Sequence, residues 1–299
     1  MSIEISNLDF SYGTKQVLRN LNLSINPAET LTILGPNGSG KTTFLSLVAG
    51  LLAPSGGSIV YDGKPFKAMS LRKMAQLVGY VPQILMPAFD YSVLDYVVTG
   101  CAPQIGSLGR PRQKHYDTAL EAIQLLGIEH LTEKSYRQIS GGERQQVSIA
   151  RVLAQSPTYI LMDEPTSHLD YGNQIRVLKT IKQLKEKGFG VVFTTHNPDQ
   201  ALLIEGKTAI IDRQGNLVFG DSSEMIDEEY LSELFGTQMR IARIEKKGRK
   251  VCYAASLNNE ETEEAERVEE AELAEEAEMA EEAERVEEVE LVEEMGADI

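Results

Sequence analysis

The sequence predicts an α/β fold with a largely parallel central sheet. Short apolar runs with strand character alternate with stretches of helical spacing along most of the chain, a pattern typical of strand–helix–strand units. A glycine-rich octapeptide at positions 35–42 stands between one such strand and the helix that follows it. A second apolar strand ends in two adjacent carboxylates, Asp163 and Glu164.

The first half of the chain contains alternating apolar positions and clear turn signals. Leu21, Leu23 and Ile25 alternate with polar residues, which indicates a half-buried strand. Asp62-Gly63 is a hairpin signal within residues 57–64. The other elements predicted here are a strand over 30–34, a helix over 43–52 that stops near Pro54, a strand over 78–81 and a mainly helical region over 90–137, clearest at 115–126.

The second half of the chain alternates more regularly between the two kinds of element. The predicted helices cover 143–155, 171–187 and 198–204, and the predicted strands cover 158–162 and 190–195. Residues 208–212 and 217–220 are expected to form a closing hairpin.

The end of the chain differs in composition from the rest. Positions 259–299 contain 19 Glu, one Asp and two Arg, a net charge of −18, so that the preceding 258 residues carry only +2. Within 265–294 a hexapeptide of the type AERVEE occurs five times, and its apolar period of three does not match a helical turn. Like-charged Glu pairs four positions apart oppose a helix, whereas Ala and Glu favour one. We expect a fraying helix or a disordered acidic tail that is simply solvated, with loose binding of divalent cations or of a basic partner as the alternative.

The nearly neutral body of the chain excludes two classes of protein. With 299 residues, of which 42% are hydrophobic and 25% charged, the chain can bury a sizeable core in one large domain or two ordinary ones. It is not an evenly acidic protein. Its body also lacks the positive charge typical of a nucleic-acid binder, so no nucleic-acid partner is expected.

Cysteine use and hydropathy indicate where the protein is expected to act. Cys101 and Cys252 are far apart and have no metal-ligand spacing, which excludes a disulfide framework and fits a reducing compartment. The N-terminal residues have neither the basic nor the apolar region of a signal peptide. No segment approaches the ~20 apolar residues that span a bilayer, so a membrane role is expected to require a partner.

The octapeptide fits the pattern G-x-x-x-x-G-K-[ST], which binds nucleotide phosphates. Its residues are Gly35, Pro36, Asn37, Gly38, Ser39, Gly40, Lys41 and Thr42. Such a loop turns successive backbone N–H groups toward phosphate oxygens, and the following helix N-terminus adds its positive end. We expect Lys41 to reach the β- and γ-phosphates and the Thr42 hydroxyl to bind Mg²⁺. A plain glycine-rich turn is the alternative, but a chance match in a chain of this length is rare, on the order of 1%.

The two carboxylates that follow residues 159–162 fit a hydrolytic role. A buried strand would hold Asp163 rigidly at its C-terminal end, where it could ligate Mg²⁺ directly or through water. Glu164 is then placed to orient and deprotonate an attacking water. Apolar strands often end in aspartate, so this pattern is informative mainly because a phosphate loop precedes it.

Residues 139–143 begin a helix with two glycines in its first turn. Ser140 is a natural N-cap and Glu143 stands three residues later, as in a capping box. Local physics alone favours an ordinary helix start. Gly141 and Gly142 nevertheless lower helix stability, and they would let a phosphate approach the backbone closely.

In this order, the motifs resemble those of the ATP-binding subunit of an ABC transporter, over about residues 1–240. The resemblance implies a P-loop NTPase fold with a RecA-like core, an antiparallel β subdomain and a helical subdomain at about 84–155. A linker over 241–258 and the acidic tail over 259–299 would follow. The resemblance also implies ATP and Mg²⁺ as ligands.

The resemblance assigns a role to each motif already described. Residues 35–43, which add Thr43 to the octapeptide, match the Walker A loop, and residues 140–143 match the family signature. Asp163 matches the Walker B carboxylate, and Glu164 matches the catalytic glutamate.

Other positions take a role only from the resemblance. Tyr12 matches an aromatic residue that stacks on adenine, and Gln83 matches the Q-loop glutamine that contacts Mg²⁺ and the attacking water. Residues 167–170, which include Asp170, match the D-loop, and His196 matches the switch histidine that contacts the γ-phosphate. Taken alone, each of these residues has a simpler explanation. Tyr12 would be a tyrosine that packs against its neighbours, Gln83 would be a surface loop residue, and His196 would be a histidine of the core.

The single copy of each motif implies an assembly of two chains. In this family the signature of one subunit completes the site of another, so the resemblance implies a head-to-tail homodimer. Ser140, Gly141 and Gly142 would then contact the γ-phosphate of the ATP bound by the partner. The resemblance further implies polytopic membrane permease subunits, an extracytoplasmic solute-binding protein that acts through the permease, and a peripheral position at the cytoplasmic face of the cell membrane.

Smaller similarities suggest which kind of transporter this is. Residues 93–100, 109–111, 166–170 and 195–201 resemble the iron-chelate and cobalamin uptake group, so an importer of siderophores, heme or cobalamin is expected. A non-transport ATPase of this family, such as an iron–sulfur assembly ATPase, is the alternative. A third class is an interaction module whose working part is the acidic tail. Copurification with a polytopic membrane protein or with a soluble assembly complex would separate the first two.

Overall fold

Three β-sheets, of six, four and two strands, organise the described residues of this computed structural model, which are 2–83, 87, 89–105, 109–244 and 249–255. The strands are β1 (Ile3–Tyr12), β2 (Lys15–Ile25), β3 (Thr30–Leu34), β4 (Gly56–Tyr61), β5 (Lys64–Pro65), β6 (Val78–Val81), β7 (Tyr159–Met162), β8 (Gly190–Thr195), β9 (Lys207–Ile211), β10 (Leu217–Asp221), β11 (Met239–Ile244) and β12 (Arg249–Ala254). The α-helices are α1 (Lys41–Val48), α2 (Leu71–Leu77), α3 (Val93–Val98), α4 (Gln113–Leu125), α5 (Gly141–Leu153), α6 (Tyr171–Glu186), α7 (Pro198–Ile204), α8 (Ser222–Met225) and α9 (Glu228–Phe235).

The central sheet brings the C-terminal ends of several parallel strands to one edge. Its order is β10-β9-β3-β8-β7-β6, and all neighbours run parallel except β10, which pairs antiparallel with β9. Strands β3, β7 and β8 are buried along their whole lengths, as expected for strands covered on both faces. The predicted α/β fold with a largely parallel sheet is confirmed.

A separate antiparallel sheet has the order β2-β1-β4-β5. The pairing of β1 with β2 shifts register between Ile5 and Leu8 and again between Leu8 and Phe10. Asn7 and Asn20 adopt left-handed backbone conformations there, with φ of 48° and 47°. These bulges keep the apolar side chains of β1 on the buried face, because each extra residue resets the two-residue alternation. The expected antiparallel β subdomain is confirmed.

A helical region packs on one side of the central sheet. It comprises α3, α4 and α5, whose shared core includes the fully buried Val97, Ile123 and Val147. The mainly helical region expected at 90–137 is therefore present, and α4 corresponds to its clearest stretch.

The first helix is displaced from its predicted bounds of 43–52. It begins at Lys41, because Gly40 immediately before it has φ 101° and ends the preceding loop. It ends at Val48, before Gly50 turns the chain with φ 73°. Apolar spacing alone could not locate these glycine-controlled ends.

Strands β11 and β12 form an antiparallel pair where the sequence suggests a linker over 241–258. This strand pair rests on α7 and α9. The N–H of Cys252 donates to Oδ1 of Asp199 in α7 (2.7 Å), and the N–H of Ile241 donates to Oε1 of Glu228 in α9 (2.5 Å). The sequence does not predict these strands, because charged residues interrupt their apolar pattern. One face of a two-stranded sheet stays in water and can carry such residues.

Strand β1 and helices α2, α8 and α9 are also absent from the sequence prediction. Helix α2 is short and presents Leu71 to solvent, which removes the apolar periodicity that would reveal it. Among the described helices, none combines the length and apolar character needed to cross a membrane. The expected form of the acidic tail concerns residues outside those described.

Candidate active site

The phosphate loop after β3 contains two glycines with left-handed backbone. Gly38 and Gly40 have φ of 81° and 101°, values that glycine adopts without steric cost. The hydroxyl of Ser39 is buried, and it has no hydrogen-bond partner among the described residues. A buried unpaired hydroxyl in this loop is a group that a bound phosphate oxygen would satisfy. The loop therefore fits a polyphosphate ligand.

Lys41 folds back onto the loop that precedes it. Its side chain is 5% exposed, and Nζ donates to the backbone oxygens of Gly35 (2.9 Å) and Pro36 (3.1 Å). Nζ also lies 3.4 Å from Oε1 of Glu164. Burial lowers the pKa of Lys41, while the charges of Glu164 and Asp163 oppose that shift. Phosphate oxygens could replace these oxygen partners of the ammonium group.

Asp163, at the end of β7, joins the phosphate loop to two neighbouring strands. Its Oδ1 accepts hydrogen bonds from the hydroxyls of Thr42 (3.1 Å) and Thr194 (2.8 Å), and its Oδ2 accepts one from Tyr80 (3.3 Å). Burial and the charge of Asp163 raise the pKa of Tyr80, which keeps the phenol a donor. Thr42 and Asp163 offer hydroxyl and carboxylate oxygens, which are the ligands that Mg²⁺ prefers. The donor set therefore fits a magnesium ion.

Glu164 has a strained backbone and a carboxylate surrounded by polar side chains. Its φ is 42°, a value that a non-glycine residue keeps only where its surroundings fix it. Its N–H donates to Oγ1 of Thr194 (2.7 Å). Oε1 lies 3.4 Å from Nζ of Lys41 and 3.7 Å from Nδ1 of His196, and Oε2 accepts a hydrogen bond from Nε2 of Gln83 (3.4 Å). The structure thus brings three other predicted residues, Lys41, Gln83 and His196, to the carboxylate of Glu164.

A polar cavity of about 620 Å³ opens beside Glu164. Asn37 of the phosphate loop, Gln83, Ser167 and His196 contribute to its walls. Its volume lies within the range of sites that bind small molecules. The arrangement can bind phosphate groups at the loop and hold a water molecule next to a carboxylate.

Ser140 and Glu143 form the predicted capping box at the start of α5. Oγ of Ser140 accepts a hydrogen bond from the N–H of Glu143 (3.3 Å), and Oε2 of Glu143 accepts one from the N–H of Ser140 (2.7 Å). The hydrogen bond from the Ser140 backbone is the main reason why the pKa of Glu143 lies below its ordinary value.

The segment 140–143 lies beside α6, and Gly141 lines a second cavity whose walls also include Gln83, Ser167 and His168. Gly142 faces Asn173 so closely that a β-carbon on the glycine would overlap the asparagine side chain. Asp170 caps α6, since Oδ1 accepts a hydrogen bond from the N–H of Asn173 (2.9 Å) and Oδ2 accepts one from its Nδ2 (2.7 Å). These bonds from Asn173 lower the pKa of Asp170. Among the described residues that line the 620 Å³ cavity, none belongs to 140–143.

Tyr12 lies at the end of β1 with its ring 54% exposed. The ring meets Phe10 edge to face, with 4.8 Å between centroids. A β-carbon on Gly40 would contact the side chains of Val17 and Leu18 in β2, so this end of the hairpin adjoins the phosphate loop. An exposed aromatic ring in this position could stack on a flat base.

Three residues that the sequence analysis does not single out complete the surroundings of the two carboxylates. Tyr80 and Thr194 bind Asp163, and Gln200 forms part of the cavity wall. Thr194 had a possible signal, because a hydroxyl in a buried apolar strand needs a partner. Tyr80 and Gln200 had none that could be separated from ordinary packing.

A parallel sheet with a phosphate loop after one strand and paired carboxylates after another defines a nucleotide hydrolase of the P-loop class. The family model described as ABC transporter matches residues 18–167. The chain belongs to the ABC transporter family, as an ATPase that couples ATP hydrolysis to transport.

Known relatives match nearly the same length of chain. The molybdate import ATP-binding protein MolC of Haemophilus influenzae is 36% identical over 240 residues, which cover 80% of this chain and 89% of that protein. A "probable iron chelatin transport ATP-binding protein" of Helicobacter pylori is 34% identical over 243 residues, which cover 80% and 94%. A solved structure, described as an ABC transporter of metal-chelate type in an inward-facing conformation, aligns with TM-score 0.76 and 33% identity over 86% of this chain and 98% of that one.

These similarities bear directly on the two main predictions from sequence. The resemblance to ATP-binding subunits and the transport function are confirmed, whereas a non-transport ATPase finds no support among these relatives. The chain is thus the ATP-binding part of a transporter complex that includes membrane subunits. The roles of the individual site residues stay predictions.

Proposed function

We propose that this chain energises the import of a metal chelate, with iron chelates as the first candidate. The observation that carries the ATPase part is the environment of Glu164, whose carboxylate lies within 3.7 Å of Lys41, Gln83 and His196. The metal-chelate transporter structure and the iron chelatin relative support the cargo class. Ferric siderophores and heme are iron chelates, and cobalamin is a chelate of another metal.

The proposed ATP site combines the phosphate loop with an aromatic ring. Tyr12 would stack on adenine, and Lys41 would leave its backbone partners for the β- and γ-phosphates. The residues proposed to bind the phosphates are Gly35, Pro36, Asn37, Gly38, Ser39, Gly40, Lys41, Thr42 and Thr43. The unpaired Ser39 hydroxyl and the left-handed Gly38 and Gly40 support this proposal.

Thr42, Gln83 and Asp163 would hold the magnesium ion. Mg²⁺, when bound, supplies charge neutralisation to the phosphate oxygens. The hydrogen bond between Thr42 and Asp163, 3.1 Å long, supports a shared role for these two oxygens. Gln83 is connected to the same site through its hydrogen bond to Glu164.

Glu164 is proposed to act as the general base. Its carboxylate would accept the proton of the water that attacks the γ-phosphorus, while Gln83 would orient that water. His196 and Lys41 would donate hydrogen bonds to the γ-phosphate and stabilise the charge on its oxygens. A rigid carboxylate is useful here, and the hydrogen bond from the Glu164 N–H to Thr194 supports that rigidity.

A head-to-tail homodimer would complete this site. Ser140, Gly141, Gly142 and Glu143 lie beside α6 and would serve the ATP of the partner, with Asp170 at the shared boundary. The exposure of Ser140 and Gly141 supports this arrangement, because the Ser140 hydroxyl and the Gly141 N–H can reach a second chain, while the Ser140 N–H is bonded to Glu143. Burial of two ATP molecules would close the dimer, and hydrolysis would release it.

The finer partners and location are part of the same proposal. The ATPase dimer would dock on polytopic permease subunits at the cytoplasmic face of the cell membrane. An extracytoplasmic solute-binding protein would deliver the chelate through the permease. The molybdate relative favours a second candidate cargo, an oxyanion, because its identity to this chain is as high as that of the iron chelatin relative.

The ATPase mechanism is tested by comparing the wild type with Glu164→Gln. We expect the variant to lose hydrolysis and to form an ATP-dependent dimer that is stable in size-exclusion chromatography. Glu186→Gln makes the same chemical change at an exposed position on α6 and should behave as wild type. Normal hydrolysis by Glu164→Gln, or a variant that stays monomeric with ATP, would show the mechanism to be wrong.

The cargo is tested by uptake into proteoliposomes that contain the ATPase with its membrane subunits. ATP-dependent uptake of a ferric siderophore or of hemin, but not of molybdate, is the expected result. Uptake of molybdate alone would transfer the proposal to oxyanions while leaving the ATPase mechanism intact.

A further inference from the structure

A group of buried hydrogen bonds in the wall of the cavity beside Glu164 centres on Gln200. This residue is the third of α7 and is only 5% exposed. Its Oε1 accepts hydrogen bonds from the hydroxyls of Thr166 (3.0 Å) and Thr195 (2.9 Å). Both threonines are themselves buried. One amide oxygen thus uses both lone pairs on hydroxyls from two different segments of the chain.

Those two segments carry the residues proposed to act at the γ-phosphate. Thr166 follows Glu164 by two residues, and Thr195 directly precedes His196. Oγ1 of Thr195 also accepts a hydrogen bond from the N–H of Asn197 (3.0 Å), so its hydroxyl contacts the backbone just beyond His196. Gln200 therefore connects the loop after β7 to the loop after β8.

The loop after β7 depends on such connections because its backbone is strained. Glu164 and His168 are non-glycine residues with φ of 42° and 60°, and conformations of this kind persist only where tertiary contacts fix them. Within the loop, Oγ of Ser167 donates to the backbone oxygen of Glu164 (2.8 Å). The bond from Thr166 to Gln200 adds a contact that reaches the segment of His196.

We propose that Gln200 is a positioning residue for ATP hydrolysis. Its amide oxygen holds the segment of Glu164 against that of His196, and so fixes the 3.7 Å between Oε1 of Glu164 and Nδ1 of His196. The inference rests on the proposed function of these two residues. Gln200 forms part of the cavity wall, and it acts on these two residues by way of its hydrogen bonds with Thr166 and Thr195.

The phosphate loop has no part in this network, so loss of Gln200 should change the chemical step more than ATP binding. We expect Gln200→Leu to lower kcat by about 10- to 100-fold, because small misplacements of catalytic groups have effects of that size. The KM for ATP should stay within about twofold of the wild type, since the residues of the phosphate loop, which supply most of the proposed phosphate contacts, are unchanged. Thermal unfolding and binding of a fluorescent ATP analogue would check that the variant is folded.

Gln104 offers a matched control far from the phosphate loop in sequence. Its Nε2 donates to the backbone oxygens of Ala154 (3.3 Å) and Gln155 (3.2 Å), so Gln104→Leu also removes two hydrogen bonds from a partly buried amide. We expect a similar drop in the unfolding temperature without a change in kcat. An equal loss of kcat in both variants would show that Gln200 has only a structural role.

The two threonines provide conservative variants that separate the hydroxyl from the side-chain volume. Thr166→Val and Thr195→Val keep the volume and remove the donor, whereas Thr166→Ser and Thr195→Ser keep the donor. The serine variants should recover most of the kcat that the valine variants lose. Equal activity of each valine variant and its serine counterpart would overturn the proposal.

The decisive measurement is Gln200→Leu in a background that already carries His196→Ala. If Gln200 acts by fixing His196 against Glu164, the second substitution should lower kcat by less than about twofold. A full multiplicative loss would mean that Gln200 acts independently, and the proposal would fall.

Glu164→Gln, measured in the same assay, distinguishes an error in the proposed function from an error in the role of Gln200. If it hydrolyses ATP at the wild-type rate, the proposed function itself is wrong. If it is inactive while Gln200→Leu equals the wild type, only the role of Gln200 is wrong.

Discussion

The ammonium of Lys41 lies 3.4 Å from Oε1 of Glu164, and both side chains are largely buried. The residue proposed to bind the γ-phosphate is therefore paired with the residue proposed to be the general base. On the proposed function, ATP would weaken this ion pair when its phosphates reach Lys41. This contact would therefore compete with the proposed substrate for the lysine.

This competition predicts that Glu164→Gln binds ATP more tightly. Without the carboxylate charge, Lys41 keeps only its two backbone partners, and less interaction energy is lost when phosphate arrives. A gain of about 1 kcal/mol, or roughly fivefold in Kd, is expected for a partly screened pair. Calorimetric titration at protein concentrations too low for dimerisation would measure it. Unchanged or weaker binding, relative to Glu186→Gln, would contradict the prediction.

The two glycines of the segment 140–143 should respond differently to a methyl group. Gly142→Ala forces the end of the Asn173 side chain away from Asp170 and should destabilise the protein by about 0.5–1.5 kcal/mol, because the hydrogen bond from Asn173 Nδ2 to Asp170 is lost. At Gly141 the nearest atom to such a carbon is Leu169 Cδ2 at 4.0 Å, so Gly141→Ala should fold normally. Urea denaturation would compare the two variants, and equal loss of stability would contradict this packing difference.

Both alanine variants should still lose ATPase activity if the segment meets a phosphate of the partner chain. A β-carbon at either position would narrow the approach to the backbone donors. A fully active Gly141→Ala would therefore argue against the role of this segment in the composite site.

The capping box at the start of α5 predicts that the stability of the protein depends on pH. The pKa of Glu143 in the folded protein lies below the ordinary value of 4.5, so its carboxylate stabilises the fold above that pH. This contribution is lost as the pH falls from about 4.5 through the lower folded pKa. Glu143→Gln keeps an oxygen acceptor but cannot titrate.

Unfolding free energies of the wild type and Glu143→Gln should therefore converge as the pH is lowered. The wild type should exceed the variant by roughly 0.3–1 kcal/mol at pH 7, the usual range for an acidic residue in a first helical turn. Parallel curves between pH 7 and pH 3.5 would contradict the role assigned to the carboxylate.

Thr194 should support both carboxylates of the site. Thr194→Val removes the donor to Asp163 and the acceptor of the Glu164 N–H while keeping the side-chain volume. A loss of about 1–3 kcal/mol in stability is expected, because two buried polar groups are left without this partner. Activity should fall as well. Thr194→Ser keeps the hydroxyl and should retain most of both properties, and a serine variant as impaired as the valine variant would refute this role.

The sequence predicts strands well where their alternation is regular and poorly where bulges occur. In β1 the apolar residues Ile3, Ile5, Leu8 and Phe10 change from a spacing of two to a spacing of three around Asn7. A search for strict alternation therefore misses the strand. The bulge depends on pairing with β2 and β4, which a local pattern does not contain.

The sequence predicts the motifs of the site. It does not predict the hydrogen bonds that connect one motif to another. Met162 pairs with Phe193 across β7 and β8, so the residues that follow, Asp163 and Thr194, become neighbours. This relationship follows from strand order and register, which belong to the tertiary structure and cannot be seen in a local sequence pattern. The same holds for Gln200, whose partners come from two loops.

Strand β12 is joined by one hydrogen bond to α7, the helix that follows His196. The N–H of Cys252 binds Asp199, and Asp199 follows His196 by three residues. Shortening the protein at residue 240 would strip the carboxylate of this donor and uncover the apolar side chains of α7 and α9. A purification tag placed after Ala255 would likewise attach to a strand one hydrogen bond away from that helix. Kinetic differences among shortened or tagged forms of this protein should therefore reflect changes in the β11–β12 pair as well as changes in the tail.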